Sequence, residues 1–169
     1  MSRGESTRAI AAARAAGVAV TVHEYEPPVG GAGGHDRRPA WGADAAAALG
    51  VDPRRVFKTL VAAVDGGRLV LGIVPVAGEL DLRALAAAAA GRRAVMATPA
   101  EAERATGYVT GGISPLGIRR PLPAVLDESA RDWPTVHVSA GRRGLQLEIE
   151  PGDLVRLTAA VVAPIARTT

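Results

Sequence analysis

Apolar and polar positions repeat with two different periods along this chain, and the switches between them mark its elements. Ser6 to Ala16 reads as a helix, with Ser6 or Thr7 where a cap belongs and Gly17 where a helix stops. Val18 to Tyr25 alternates as a half-buried strand does. Pro27 to Pro39 is polar and glycine-rich, which predicts a loop long enough to serve as a lid. Ala43 to Leu49 predicts a short helix ending at Gly50.

Arg55 to Val64 and Arg68 to Val74 are two β-rich runs joined through Asp65-Gly66-Gly67, a strong hairpin signal. Asp81 stands at the cap of an Ala-rich helix running to Ala90, and Ala94 to Ala97 reads as a short strand. Thr98-Pro99-Ala100-Glu101 matches a capping box with proline at the first helical position, predicting a helix to Thr106. A glycine-rich loop follows from Val109 to Arg120. Pro123 to Asp127, Thr135 to Ser139 and Leu145 to Ile149 read as strands, with Gly141 to Gly144 the turn between the last two. Pro151 to Leu157 predicts a helix and Ala159 to Pro164 a closing strand. About seven or eight strands interleaved with four or five helices predict a mixed α/β (α+β) fold: a curled mixed sheet, or partial barrel, flanked by helices. No internal repeat or long linker divides the chain, so residues 1–169 are expected to form one domain.

Aromatic residues make up only 3% of the 169, so the core must be packed from Ala, Val, Leu and Ile. The absence of cysteine excludes a disulfide framework, a thiolate zinc site and a cysteine nucleophile. No apolar run is long enough to span a membrane, and Arg14 interrupts the Ala-rich start, which argues against a secretory signal and makes cytoplasm the expectation. The formal charge of +3 is compatible with a nucleic-acid partner without requiring one. Lys58 is the only lysine among 20 basic residues. Such a bias follows base composition in part. Against it, a surviving lysine marks a place where a compact ammonium with a movable pKa cannot be exchanged for a planar guanidinium.

Lys58 lies in Val56-Phe57-Lys58-Thr59-Leu60. On a strand, Phe57 and Thr59 share one face, while Val56, Lys58 and Leu60 share the other. Two readings stand: a lysine with a buried stem and a solvated head, or a desolvated ammonium aimed into a pocket. The run Thr106 to Gly117 holds Gly111, Gly112, Ile113, Ser114 and Pro115. Its glycines allow a backbone to approach a ligand and aim N–H groups at an ester carbonyl, or they make a plain turn. Ser114, His137 and Asp127 do not make a convincing triad, because Pro115 follows the serine where an N–H donor would be needed. The one lysine follows no glycine, so there is no phosphate loop, and His23, His35 and His137 lack a metal site's spacing. Five Arg-Arg pairs punctuate the chain. Arg119-Arg120 after the glycine loop and Arg142-Arg143 at a hairpin tip are candidates for RNA phosphates, or solvated surface charge.

These segments together resemble the YbaK/ProX-type aminoacyl-tRNA deacylases, which are related to the editing domain of bacterial prolyl-tRNA synthetases. The resemblance runs from the helix and strand ending His23-Glu24-Tyr25, through Val56 to Leu60 and Pro75 to Leu82, to Thr106-Gly107-Tyr108 with Gly111 to Gly117, and closes at Gly141 to Leu145 and Glu148. The chain departs from it at Ser139-Ala140-Gly141 and in the longer Pro27–Pro39 loop. The resemblance implies hydrolysis of the aminoacyl ester of mischarged tRNA, most similar to the Cys-tRNA(Pro) branch, without metal or organic cofactor. It implies a pocket between Lys58 and the Gly111–Pro115 loop, with Lys58, Gly111 and Gly112 catalytic. Tyr25, Phe57, Thr59, Ile113, Ser114, Pro115 and Asp127 would contact substrate. The expected partners are the tRNA acceptor end and prolyl-tRNA synthetase. A non-catalytic tRNA- or synthetase-binding module and a small-molecule-binding protein are the competing classes.

Overall fold

The computed structural model describes residues 6–27 and 41–168. Helix α1 (Arg8–Ala15) is capped by Thr7, whose hydroxyl accepts from the Ile10 N–H. Gly17 takes a left-handed conformation (φ 70°), and the Val18 N–H returns to the Ala13 carbonyl, a Schellman closure. That closure occupies the residues expected to begin a strand, so β1 is only Thr21–Glu24. The expected Pro27–Pro39 loop falls, beyond its first residue, outside the described residues.

After α2 (Trp41–Leu49), β2 (Phe57–Val64) and β3 (Arg68–Pro75) form the hairpin that Asp65-Gly66 predicts, with both turn residues at positive φ. Then follow β4 (Gly78–Leu80), α3 (Leu82–Ala88), β5 (Ala94–Met96) and α4 (Pro99–Thr106). In α4 the Thr98–Glu101 capping box is complete. A segment without helix or strand leads to β6 (Ala124–Asp127) and a 3-10 turn over Glu128–Asp132. β7 (Val136–Arg142), β8 (Leu145–Ile149), α5 (Pro151–Thr158), β9 (Val161–Ala163) and β10 (Ala166–Thr168) complete the chain.

Five strands form a mixed sheet in the order β5-β2-β3-β6-β9, with β3, β6 and β9 mutually parallel. β1, β8 and β7 form an antiparallel sheet, and β4 pairs with β10. A parallel bridge between Val56 and His137 ties the first two sheets where β2 begins. The result is a curled mixed α/β assembly that does not close into a barrel.

The alternation along β2 and β3 sorts side chains into two cores. Phe57, Val61, Leu71 and Ile73 pack with the inner faces of β7 and β8 and with Ile10 of α1. Ala62, Val64, Val70 and Val74 pack on the other face with Leu85 of α3 and Ile165. Burying a chain such as Phe57 contributes on the order of 2–3 kcal/mol. Gly72 fits closely under this second core, since a Cβ there would stand 3.1 Å from the Leu80 side chain, which would have to shift to admit it.

Candidate active site

β2 is paired on both sides only along part of its length. β3 covers all of it, but β5 covers only Ala62 to Val64. Between the bridge at Val56 and the Val61 carbonyl, which accepts from the Ala97 N–H, no strand among the described residues pairs with this edge of β2. A cleft of about 810 Å³ sits there. Val56, Phe57, Lys58, Thr59, Leu60 and Val61 line it from the strand. Gly42 and Val76 line it from one side. A Cβ on Gly42 would meet the Val76 side chain at 2.4 Å, so the close seating of α2 explains that glycine. Met96, Pro99 and Ala102 line it from β5 and α4, Thr110, Gly111 and Ile113 from the glycine loop, and Tyr25 and Gln146 from the β1-β8-β7 sheet. The walls are mostly apolar, with a few polar groups converging, which is the usual build of a small-ligand site.

Lys58 is half-buried, and burial holds its ammonium below the ordinary pKa, opposed by the charge of Glu79. Two polar side-chain atoms of residues lining the cleft have no hydrogen-bond partner among the described residues. Thr59 Oγ1 and Gln146 Oε1 are inaccessible and unbonded, in residues 8% and 7% exposed. A buried polar atom without a bond costs about 1–3 kcal/mol, so these two are candidates for a hydrogen bond from water or ligand at the cleft wall. Gln146 was not singled out from the sequence. The available signal was its polar position in the alternating run Leu145 to Ile149.

The glycine loop is rigidly docked. Tyr108 Oη donates to the Leu116 carbonyl at 2.6 Å, and the Arg8 guanidinium lies 4.9 Å over the Tyr108 ring. Gly111 has φ 89° and lines the cleft, and its N–H has no partner among the described residues. Gly112 differs from the cradle expected of it. Its N–H donates to the Val109 carbonyl at 2.9 Å, closing a turn, and a Cβ there would stand 3.0 Å from the Arg143 backbone. Its missing side chain makes room for the β7–β8 hairpin, so its amide is committed to the protein.

Lys58, Phe57, Thr59, Tyr25, Gly111 and Ile113 are thus brought together, and three expected substrate contacts are not. Ser114 is fully buried, and its hydroxyl accepts from the Leu116 N–H. Pro115 lines a separate 220 Å³ groove on the far side of the loop, between α1 and α5. Asp127 is buried and fully bonded. Oδ1 accepts from the Ile165 and Ala166 N–H groups at 2.9 Å, and Oδ2 accepts from the Ser129 N–H and hydroxyl. Asp127 joins the chain end to β6 instead of facing the cleft.

The arginine pairs also divide. Arg119 and Arg120 are exposed, between Ile118 and Pro121, which both line the far groove. Arg142 approaches Glu24 at 3.8 Å. Arg143 donates Nε and Nη2 to the Thr110 carbonyl at 3.0 and 2.6 Å. Among the described residues no group of three His, Asp or Glu is arranged to hold a metal ion, and no helix is long and apolar enough to cross a membrane.

A strand edge bearing one half-buried lysine, facing a docked glycine loop, makes a pocket of the kind that takes a small ligand group. The sequence profile of the aminoacyl-tRNA editing domain matches residues 39–157, and the chain belongs to that family. It is 38% identical over 120 residues to EbsC of Enterococcus faecalis, assigned as a Cys-tRNA(Pro)/Cys-tRNA(Cys) deacylase, covering 71% of this chain and 73% of that protein. Its fold matches a crystal structure assigned as a trans-editing enzyme for prolyl-tRNA synthetase, with TM-score 0.80 and 29% identity over 99% of both chains. It also matches the hypothetical protein APE2540, with TM-score 0.82 and 25% identity over 95% of this chain and 100% of that one.

Proposed function

We propose that this chain clears mischarged tRNA in trans, with Cys-tRNA(Pro) its preferred substrate and residues 1–169 a single editing domain. It is an aminoacyl-tRNA deacylase, a hydrolase whose substrate is tRNA. The observation that carries the site is the half-buried Lys58 ammonium sharing one cleft with Gly111, whose N–H has no partner among the described residues.

In this reading Lys58 binds the ester carbonyl or the neighbouring ribose oxygens as a point charge, and the Gly111 N–H faces the oxygen on which negative charge develops. Water attacks the carbonyl carbon, or the substrate's own thiol does so when the amino acid is cysteine. The bond from that carbon to the terminal ribose oxygen breaks, and the ribose leaves as a hydroxyl carrying the nucleophile's proton. The ester is already activated, so positioning and charge stabilisation carry the rate without a strong protein base. Gln146 Oε1 and Thr59 Oγ1 take up polar groups of the aminoacyl end, and the apolar walls limit the size and shape of the amino acid. Arg119, Arg120 and Arg142 serve the acceptor-stem phosphates. Prolyl-tRNA synthetase is the partner that presents the tRNA, and the cytoplasm is the compartment.

The test is deacylation of Cys-tRNA(Pro), Ala-tRNA(Pro) and Pro-tRNA(Pro) by wild type and Lys58→Ala. Loss of the cysteinyl species with wild type alone is expected. Faster loss of the alanyl species would reassign the preference. Binding of tRNA without turnover of any species would favour a non-catalytic module.

A further inference from the structure

Arg143, a hairpin-tip arginine expected to meet phosphate, is turned instead onto the backbone of the glycine loop. Its Nε and Nη2 both donate to the Thr110 carbonyl oxygen. On the other side, Glu103 Oε2 of α4 accepts from the Thr110 N–H at 2.7 Å and from its hydroxyl at 3.0 Å. One residue is therefore held through both of its flanking peptides by two charged side chains from different elements. These bonds lower the Glu103 carboxyl pKa, and the nearby Arg143 charge acts in the same direction.

Thr110 immediately precedes Gly111, the glycine that lines the cleft and whose N–H has no partner among the described residues. In a planar trans peptide, the Thr110 C=O and the Gly111 N–H point in opposite directions, so gripping the carbonyl sets the direction of the amide. A guanidinium on the carbonyl also draws electron density along the peptide and makes the N–H a stronger donor. Without such anchors a Gly-Gly segment would sample many orientations, and ordering each residue costs about 1–2 kcal/mol. The anchors are firm. α4 carries the complete capping box, and the Val109–Gly112 turn lies directly against the hairpin backbone at Arg142 and Arg143.

We propose that Glu103 and Arg143 are positioning residues for the hydrolysis, a two-sided clamp on Thr110 that presents the Gly111 N–H to the cleft. This rests on the deacylase reading above.

The experiment uses the full chain with Glu103→Ala, Arg143→Ala and the double variant, and two readouts. The first is deacylation of Cys-tRNA(Pro). Each single variant is expected to lower kcat about tenfold with KM nearly unchanged, as loss of preorganisation should. The double variant is expected to be no slower than the slower single, because both remove one clamp. Glu103→Gln, which keeps an accepting oxygen, should recover part of the rate. The second readout needs no turnover: the Gly111 amide order parameter should fall from about 0.85 to below about 0.6 in the variants. An unchanged order parameter with unchanged kcat overturns the proposal. So does an Arg143→Ala variant that raises KM and weakens its salt dependence at constant kcat, which would mark a phosphate contact. If wild type deacylates nothing, the deacylase reading fails, and the order parameter alone decides the clamp.

Discussion

Asp127 and the cleft are both places where polar side chains are buried against β strands, and they are built on opposite principles. At Asp127 both carboxylate oxygens are used: Ile165 and Ala166 donate to one, Ser129 to the other. In the cleft, Thr59 Oγ1 and Gln146 Oε1 are also inaccessible and have no partner among the described residues. A satisfied buried group holds the chain to itself, whereas an unsatisfied one beside a cleft is a cost that a bound group can relieve. The difference assigns Asp127, which the family resemblance leads us to expect at the substrate, to the architecture.

Exchanging residues between the two regimes should separate stability from activity. Lys58→Ala is expected to lower kcat about 10²–10³-fold with an almost unchanged melting temperature, the usual scale for losing a group that meets developing charge. Lys58→Arg should fail as well, because a larger, delocalised cation does not replace a point charge. An active arginine variant would break the contrast at its centre. Asp127→Ala should show the reverse. It leaves the buried Ile165 N–H and the part-buried Ala166 N–H without acceptors and is expected to cost about 3 kcal/mol in chemical denaturation, while activity per folded molecule is retained.

Thr59→Val and Gln146→Leu should cost no stability, since each removes an unpaired buried group. They should lower kcat/KM for Cys-tRNA(Pro) by about tenfold and narrow the preference over Ala-tRNA(Pro). Clear destabilisation by either would show that these atoms are satisfied after all.

The smallest effect concerns His137, which is 2% exposed with an unbonded Nδ1, its ring 5.2 Å from that of His23. Burial is the main cause that lowers its pKa to about 4, with His23 and Arg55 adding to it and Glu148 opposing. The unfolded chain takes up this proton near the ordinary value of about 6.5, while the folded chain stays neutral. Stability should therefore decline as pH falls from 6.5 towards 4. Glu148, whose own pKa is lowered, loses its stabilising contribution only at more acid pH. Comparing melting at pH 7 and pH 5 for wild type and His137→Phe checks this, with a flatter dependence expected in the variant.

The elements legible in the sequence were those whose signals are local. The Asp65-Gly66 turn, the Thr98–Glu101 capping box and the Asp81 cap each act within a few residues, and each appears where expected. β4 and β10 were not legible. Each has three residues, and they pair with one another across most of the second half of the chain. The 3-10 turn after Asp127 was missed for a related reason: its cap is the same carboxylate that binds Ile165 and Ala166.

The sequence by itself determined the fold class, the family resemblance and the singular status of Lys58, because periodicity, capping and a one-in-twenty lysine are properties of a string. Only the tertiary structure decided which polar groups stand in the cleft. β5 stops short and leaves part of the β2 edge without a paired strand among the described residues, the curled sheet carries Gln146 to that edge, and the β7–β8 hairpin brings Arg143 onto Thr110. Those placements depend on pairings between distant segments, and the bonding of a buried polar atom is set by whatever the fold puts beside it.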